Sequence, residues 1–138
     1  MAEAGDDISP DVKAFIADYI GSVVQLETLL LLHGAPARAW SAEEVAADLR
    51  IDLAWAEAQL DAICEQGLLD CRTGSPRRYV FAPHSSHHRR AVDALATTYA
   101  QRRVTVIGLI FAKPVDSLRA FSDAFRLGKD NPKDNPNG

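Results

Sequence analysis

Long apolar runs are missing from this chain of 138 residues. The longest, VTVIGLIFA at 104–112, is about half of the roughly 18 residues that a bilayer-spanning helix needs, so no membrane span is expected. Cysteine is scarce as well. Cys64 and Cys71 are the only two, they lack metal-type spacing, and no N-terminal pattern reads as a secretory leader. That combination points to a reducing, cytoplasmic setting rather than a disulfide scaffold. An excess of positive charge is also absent, since the net charge is -4, so any nucleic-acid surface must be local.

Catalytic signatures are equally hard to find. The chain holds no glycine-rich phosphate loop, no nucleophile elbow, no His-Glu metal helix and no carboxylate pair isolated in an apolar stretch. No catalytic residue, cofactor or metal is expected, and the chain does not read as an enzyme. His84 and His88 stand one helical turn apart, but a third ligand at a matched position is missing. Solvated or phosphate-facing histidines are the plainer reading, and His33 should sit near the carbonyls of a helix end.

What is present is a series of helix signals. Ser9 caps a helix that has Pro10 at its first position, with Val12, Phe15, Ile16, Tyr19 and Ile20 as its apolar stripe. That stripe packs either across a dimer or on Phe121 and Phe125 of the same chain. Ser22 and Gln25 open a second helix that Gly34 and Pro36 stop, and Ser41 with Glu44 forms a capping box for a short third one. Trp40 is placed to staple onto Val45. Asp52 then caps DLAWAEAQLDAICEQGLL, whose core face is expected to be Leu53, Ala56, Leu60, Ile63 and Cys64, with Gly67 as its stop.

From Leu68 the period becomes strand-like, Gly74-Ser75-Pro76 turns the chain, and RRYVFA returns it as a β-hairpin. A long helical pattern follows Pro83 and runs through 104–112, where helix is favoured over strand. Pro114 breaks it before a last amphipathic segment at Val115, Leu118, Phe121 and Phe125, ended by Gly128. The expected organisation is a disordered start at 1–8, one domain at 9–128 and a disordered Asp-Asn-Pro tail at 129–138.

Taken in order, SAEEVAADLRI, LDAICEQGLLD and CRTGSPRRYVF resemble a winged helix-turn-helix domain over residues 22–82. The helices around it, including the C-terminal ones at 84–128, resemble the dimerisation helices of MarR-type and PadR-type bacterial regulators. The resemblance implies a mainly α fold with a small β-hairpin wing, a homodimer, and duplex DNA as the partner. In that superfamily the second helix faces bases and the wing grips phosphate.

Carried onto this chain, the wing and the helix after it supply Arg72, Arg77, Arg78, His87, Arg89 and Arg90 as DNA-binding residues. The outward face of the second helix supplies Ala54, Trp55, Ala58, Gln59 and Ala62. Only Gln59 there offers a bidentate contact to adenine, and Asp61 and Glu65 would face a polymer carrying a charge about every 1.7 Å. The same alanine strip beside Trp55 suits a protein partner, which makes a winged-helix interaction module the alternative function.

Charge is divided along the chain. Between Ser41 and Asp70, Arg50 stands alone against Glu43, Glu44, Asp48, Asp52, Glu57, Asp61, Glu65 and Asp70. Between Arg72 and Arg103 the sign reverses, with Asp93 as the one acid. One acidic and one basic face are expected, free for partners or pairing with each other across a dimer. Cys64 reads as a small core residue, and Cys71 has only Arg72 beside it, so redox sensing is not expected.

Overall fold

The computed structural model describes residues 8–112, so the expected segment at Val115–Phe125 and the Asp-Asn-Pro tail lie outside the described residues. The chain runs through α1 (Pro10–Tyr19), α2 (Val23–His33), α3 (Ala42–Leu49), α4 (Leu53–Glu65), β1 (Leu69–Arg72), β2 (Arg78–Phe81), α5 (Ser86–Gln101) and α6 (Arg103–Phe111). Ile8, expected in the loose start, is instead buried at 2% exposure, because it joins the same apolar cluster as Val12.

The helices begin where side-chain oxygens can satisfy their first free N–H groups. Ser9 Oγ accepts from the Val12 amide at 3.2 Å and Ser22 Oγ from the Gln25 amide at 3.1 Å. Ser41 and Glu44 close a reciprocal box at 3.1 and 3.0 Å, and Asp52 accepts from the Trp55 amide at 3.3 Å. Between α3 and α4 the chain turns through Arg50, which is left-handed at φ 59. At Gly67 the backbone is left-handed too (φ +82), and an added Cβ would stand 3.1 Å from His84 Nδ1, so glycine is needed where α4 passes into the wing.

The hairpin pairs Leu69 with Phe81 and Cys71 with Tyr79. A third segment joins it at one residue: Trp40 and Tyr79 exchange backbone bonds of 2.9 and 2.8 Å, which fastens the wing base to the chain just before α3. Beneath lies one core, with Leu26, Leu29 and Leu32 of α2, Val45 of α3, Leu60 and Ile63 of α4, Tyr79 and Phe81 of β2, and Val92 and Leu95 of α5 all buried.

Two expectations change. The pattern after Pro83 reads as one helix, yet the backbone leaves helical geometry at Arg102 (φ -135, ψ 53) and starts α6 there. The break returns Val106 and Ile110 to the core, so α6 packs on both α1 and α5. Leu53 is 40% exposed rather than inward: spacing fixes a helical face, and at the first position of α4 no element among the described residues buries it.

The tail of α1 is tied down by polar groups. The Tyr19 carbonyl accepts from Gln25 Nε2 at 2.7 Å and from Gln66 Nε2 at 2.9 Å, so one oxygen connects α1, α2 and the C-terminal end of α4.

Candidate nucleic-acid interface

Along α4 the buried residues Ala56, Leu60 and Ile63 fix the helix phase, which turns Ala54, Trp55, Ala58 and Ala62 outward and leaves Gln59 half-buried. Trp55 is 48% exposed. This face presents small apolar groups, one indole and one amide.

Beside it the wing arginines are all held by carboxylates of the same chain. Arg72 Nε lies 3.4 Å from Asp70, Arg77 Nη1 3.4 Å from Asp61, and Arg78 Nη1 3.4 Å from Glu44. The two opposed charge faces expected from the sequence are therefore replaced, at the wing, by interlaced ion pairs. The reason is topological. The hairpin folds back along α3 and α4 and brings Arg77 to Asp61 and Arg78 to Glu44, while Asp70 lies beside Arg72 on β1 itself.

Asp61 is the centre of this arrangement. Its Oδ1 accepts from the Tyr79 hydroxyl at 2.8 Å and also meets Arg77, whose guanidinium stands 5.6 Å over the Tyr79 ring. Burial, then the bond to Asp61, pushes the Tyr79 hydroxyl up, so it stays a donor. Glu44 performs the same service nearer α3, facing Arg38 at 3.5 Å as well as Arg78. The Ser41 backbone N–H, aided by Arg38 and Arg78, holds the Glu44 carboxyl below its ordinary value.

That depression has a sign. A carboxyl whose folded pKa is lowered adds stability above its unfolded pKa and loses it as pH falls through the folded one. Glu44→Gln is therefore expected to flatten the decline of the thermal midpoint on acidification below the ordinary value of 4.5. Parallel melts of the two proteins through that range check this, and identical acid limbs would refute it.

The structure compares with solved proteins as follows. No protein-family profile matches the chain, and neither does any curated protein. MepR, a transcription regulator of the Staphylococcus aureus multidrug efflux pump MepA, superposes with a TM-score of 0.50 at 12% identity, covering 90% of this chain and 89% of that one. A point mutant of S. aureus MepR gives 0.52 at 11% identity, covering 83% and 84%. The fold is a winged helix like that of MepR. RV1404 from Mycobacterium tuberculosis also matches, at a TM-score of 0.49 and 17% identity over 81% of this chain and 78% of that one.

In this winged helix, α3 and α4 are the helix-turn-helix pair and β1–β2 is the wing. The remaining sequence-predicted residues do not gather in one place. Arg89 stays near the wing, 5.5 Å over the Phe81 ring. His87 and Arg90 instead line a cleft with Ser9 and Asp11 at the start of α1. His88 turns inward, its Nε2 2.9 Å from the Tyr19 hydroxyl and its ring edge-on to Tyr19, so it is not poised to share an ion with His84. His33 meets Asp93 at 2.8 Å and the Phe81 ring, not the helix-end carbonyls expected for it.

Sequence reasoning missed Glu44, Asp61 and Tyr79 as organisers of the wing. The only local signal for Glu44 is its capping box. Asp61 and Tyr79 lie 18 residues apart, and no helical or strand period links them.

Proposed function

We propose that the chain is a transcriptional regulator that binds duplex DNA as a homodimer in the cytoplasm. Arg72, Arg77 and Arg78 contact phosphate, and Ala54, Trp55, Ala58, Gln59 and Ala62 face the groove. The observation that carries this reading is the state of the wing: three arginines project from a two-stranded hairpin, each held by a carboxylate at 3.4 Å across an exposed pair. Exposed pairs of this kind contribute little to stability, so the arginines exchange partners readily when a phosphate lattice arrives. The internal acids keep the free protein's wing neutral and ordered, while the alanines offer contact to thymine methyls.

The winged-helix fold and the regulatory role of MepR support this reading, and α6 adds to it. Val104 and Phe111 on that helix are 82% and 78% exposed, which suits cover by a second protomer.

A mobility-shift titration on random-sequence duplex at two salt concentrations tests the proposal. Three wing arginines predict a logarithmic salt slope near about -3 per protomer, at roughly -0.9 per phosphate neutralised. No retention at low salt overturns DNA binding. It moves the assignment to a protein partner on the same α4 surface, where Leu53 and Trp55 are exposed and no cation is present.

A further inference from the structure

The two thiols, one on α4 and one on β1, share a cleft. Asp61, Cys64, Glu65, Cys71 and Arg77 line a space of about 280 Å³ between α4 and the wing. Cys64 Sγ donates to the Leu69 carbonyl at 3.6 Å, and Cys71 follows Leu69 on the same face of β1. Both thiols are free and only partly buried. The cation beside Cys71 is not its neighbour Arg72, which turns to Asp70, but Arg77 from the other side of the turn, with Nη2 at 2.8 Å from Sγ.

We propose that Cys71 and Cys64 are a peroxide-reactive pair that closes to an intramolecular disulfide across the α4–wing cleft. In the first step the Cys71 sulfur attacks one oxygen of a hydroperoxide. The O–O bond breaks, the other oxygen leaves as the alcohol or water with the thiol's proton, and Cys71 becomes a sulfenic acid. In the second step the Cys64 sulfur attacks the Cys71 sulfur, the S–S bond forms, and hydroxide departs with the Cys64 proton as water. The protein loses two electrons and the hydroperoxide gains them.

The surroundings divide the roles. Arg77 sets a hydrogen-bond donor and a positive charge beside the Cys71 sulfur, next to the departing oxygen on which negative charge builds as the O–O bond breaks. Burial, and then the neighbouring Cys71 thiol, pushes Cys64 up to about 11, so it keeps its proton near neutrality and waits to resolve the sulfenic acid. Closing the bond takes away the sulfur that now accepts from Arg77 and ties the end of α4 to the wing.

The test uses the full chain treated with hydrogen peroxide, alkylated, digested and mapped by mass spectrometry, with non-reducing electrophoresis alongside. A Cys64–Cys71 linkage in monomeric chains is expected. Cys64→Ser should halt the reaction at a Cys71 sulfenic acid that dimedone captures, and Arg77→Gln should slow Cys71 oxidation about tenfold. Cross-linked chains in place of the internal bond, overoxidation of Cys71 with Cys64 still reduced, or an unchanged rate in Arg77→Gln would each overturn the proposal. These readouts are taken at sulfur, so they stand or fall independently of whether duplex DNA is bound.

Discussion

Replacing Arg77 and Arg78 together by glutamate is expected to abolish retention on duplex DNA, with affinity falling by at least about 100-fold. Hydrogen bonds to charged groups contribute about 1.5–3 kcal/mol each, and every 1.4 kcal/mol is about a factor of ten, so losing two such contacts already reaches that figure. Charge reversal then adds repulsion from the remaining phosphates. The same change sets a carboxylate against Asp61 and another against Glu44, where Arg77 and Arg78 now stand. Those positions are exposed, so the penalty on folding should be small, and circular dichroism should show an unchanged helical signal. Retention equal to that of the unaltered protein would remove the wing from the DNA reading.

The second large effect concerns the inward side of α4. Leu60 is 0% exposed in the middle of the helix, packed in the core that α2, α4 and the hairpin share. Leu60→Ala should cost about 2–5 kcal/mol through lost burial and the cavity left behind. Against a total stability of about 5–15 kcal/mol, the thermal midpoint should fall by roughly 10 °C or more. A drop of only a degree or two would mean that α4 is not seated as described. This substitution leaves the outward face chemically intact, so it separates loss of fold from loss of recognition.

The elements were legible where their causes are local. Ser9, Ser22, Ser41 with Glu44, and Asp52 each act on an amide three residues away, and such spacing is visible in any one-dimensional reading. The hairpin was legible for the same reason, because its turn residues lie between its strands. Contacts decided by the closing of the fold were not. Arg77 finds Asp61 and Cys71 only after the wing lies back along α4, and His33 finds Asp93 across 60 residues. Charge tallies along the chain therefore pointed to separate faces when the folded molecule interleaves them.

Helix phase was the intermediate case. The outward set of Ala54, Trp55, Ala58 and Ala62 followed from placing Leu60 inward, and the same reasoning failed at Leu53 because periodicity does not show where a covering neighbour stops. The break at Arg102 is not legible in the sequence because Gln101 to Val104 contains neither glycine nor proline, the residues that usually announce one.

The Tyr19 carbonyl, shared by Gln25 and Gln66, gives the molecule a fixed mechanical reference point. A displacement of α1 relative to α2 and α4 strains or breaks these two hydrogen bonds, worth about 1 kcal/mol each. The end of α1 is thereby linked through Gln66 to the point where α4 passes into the wing.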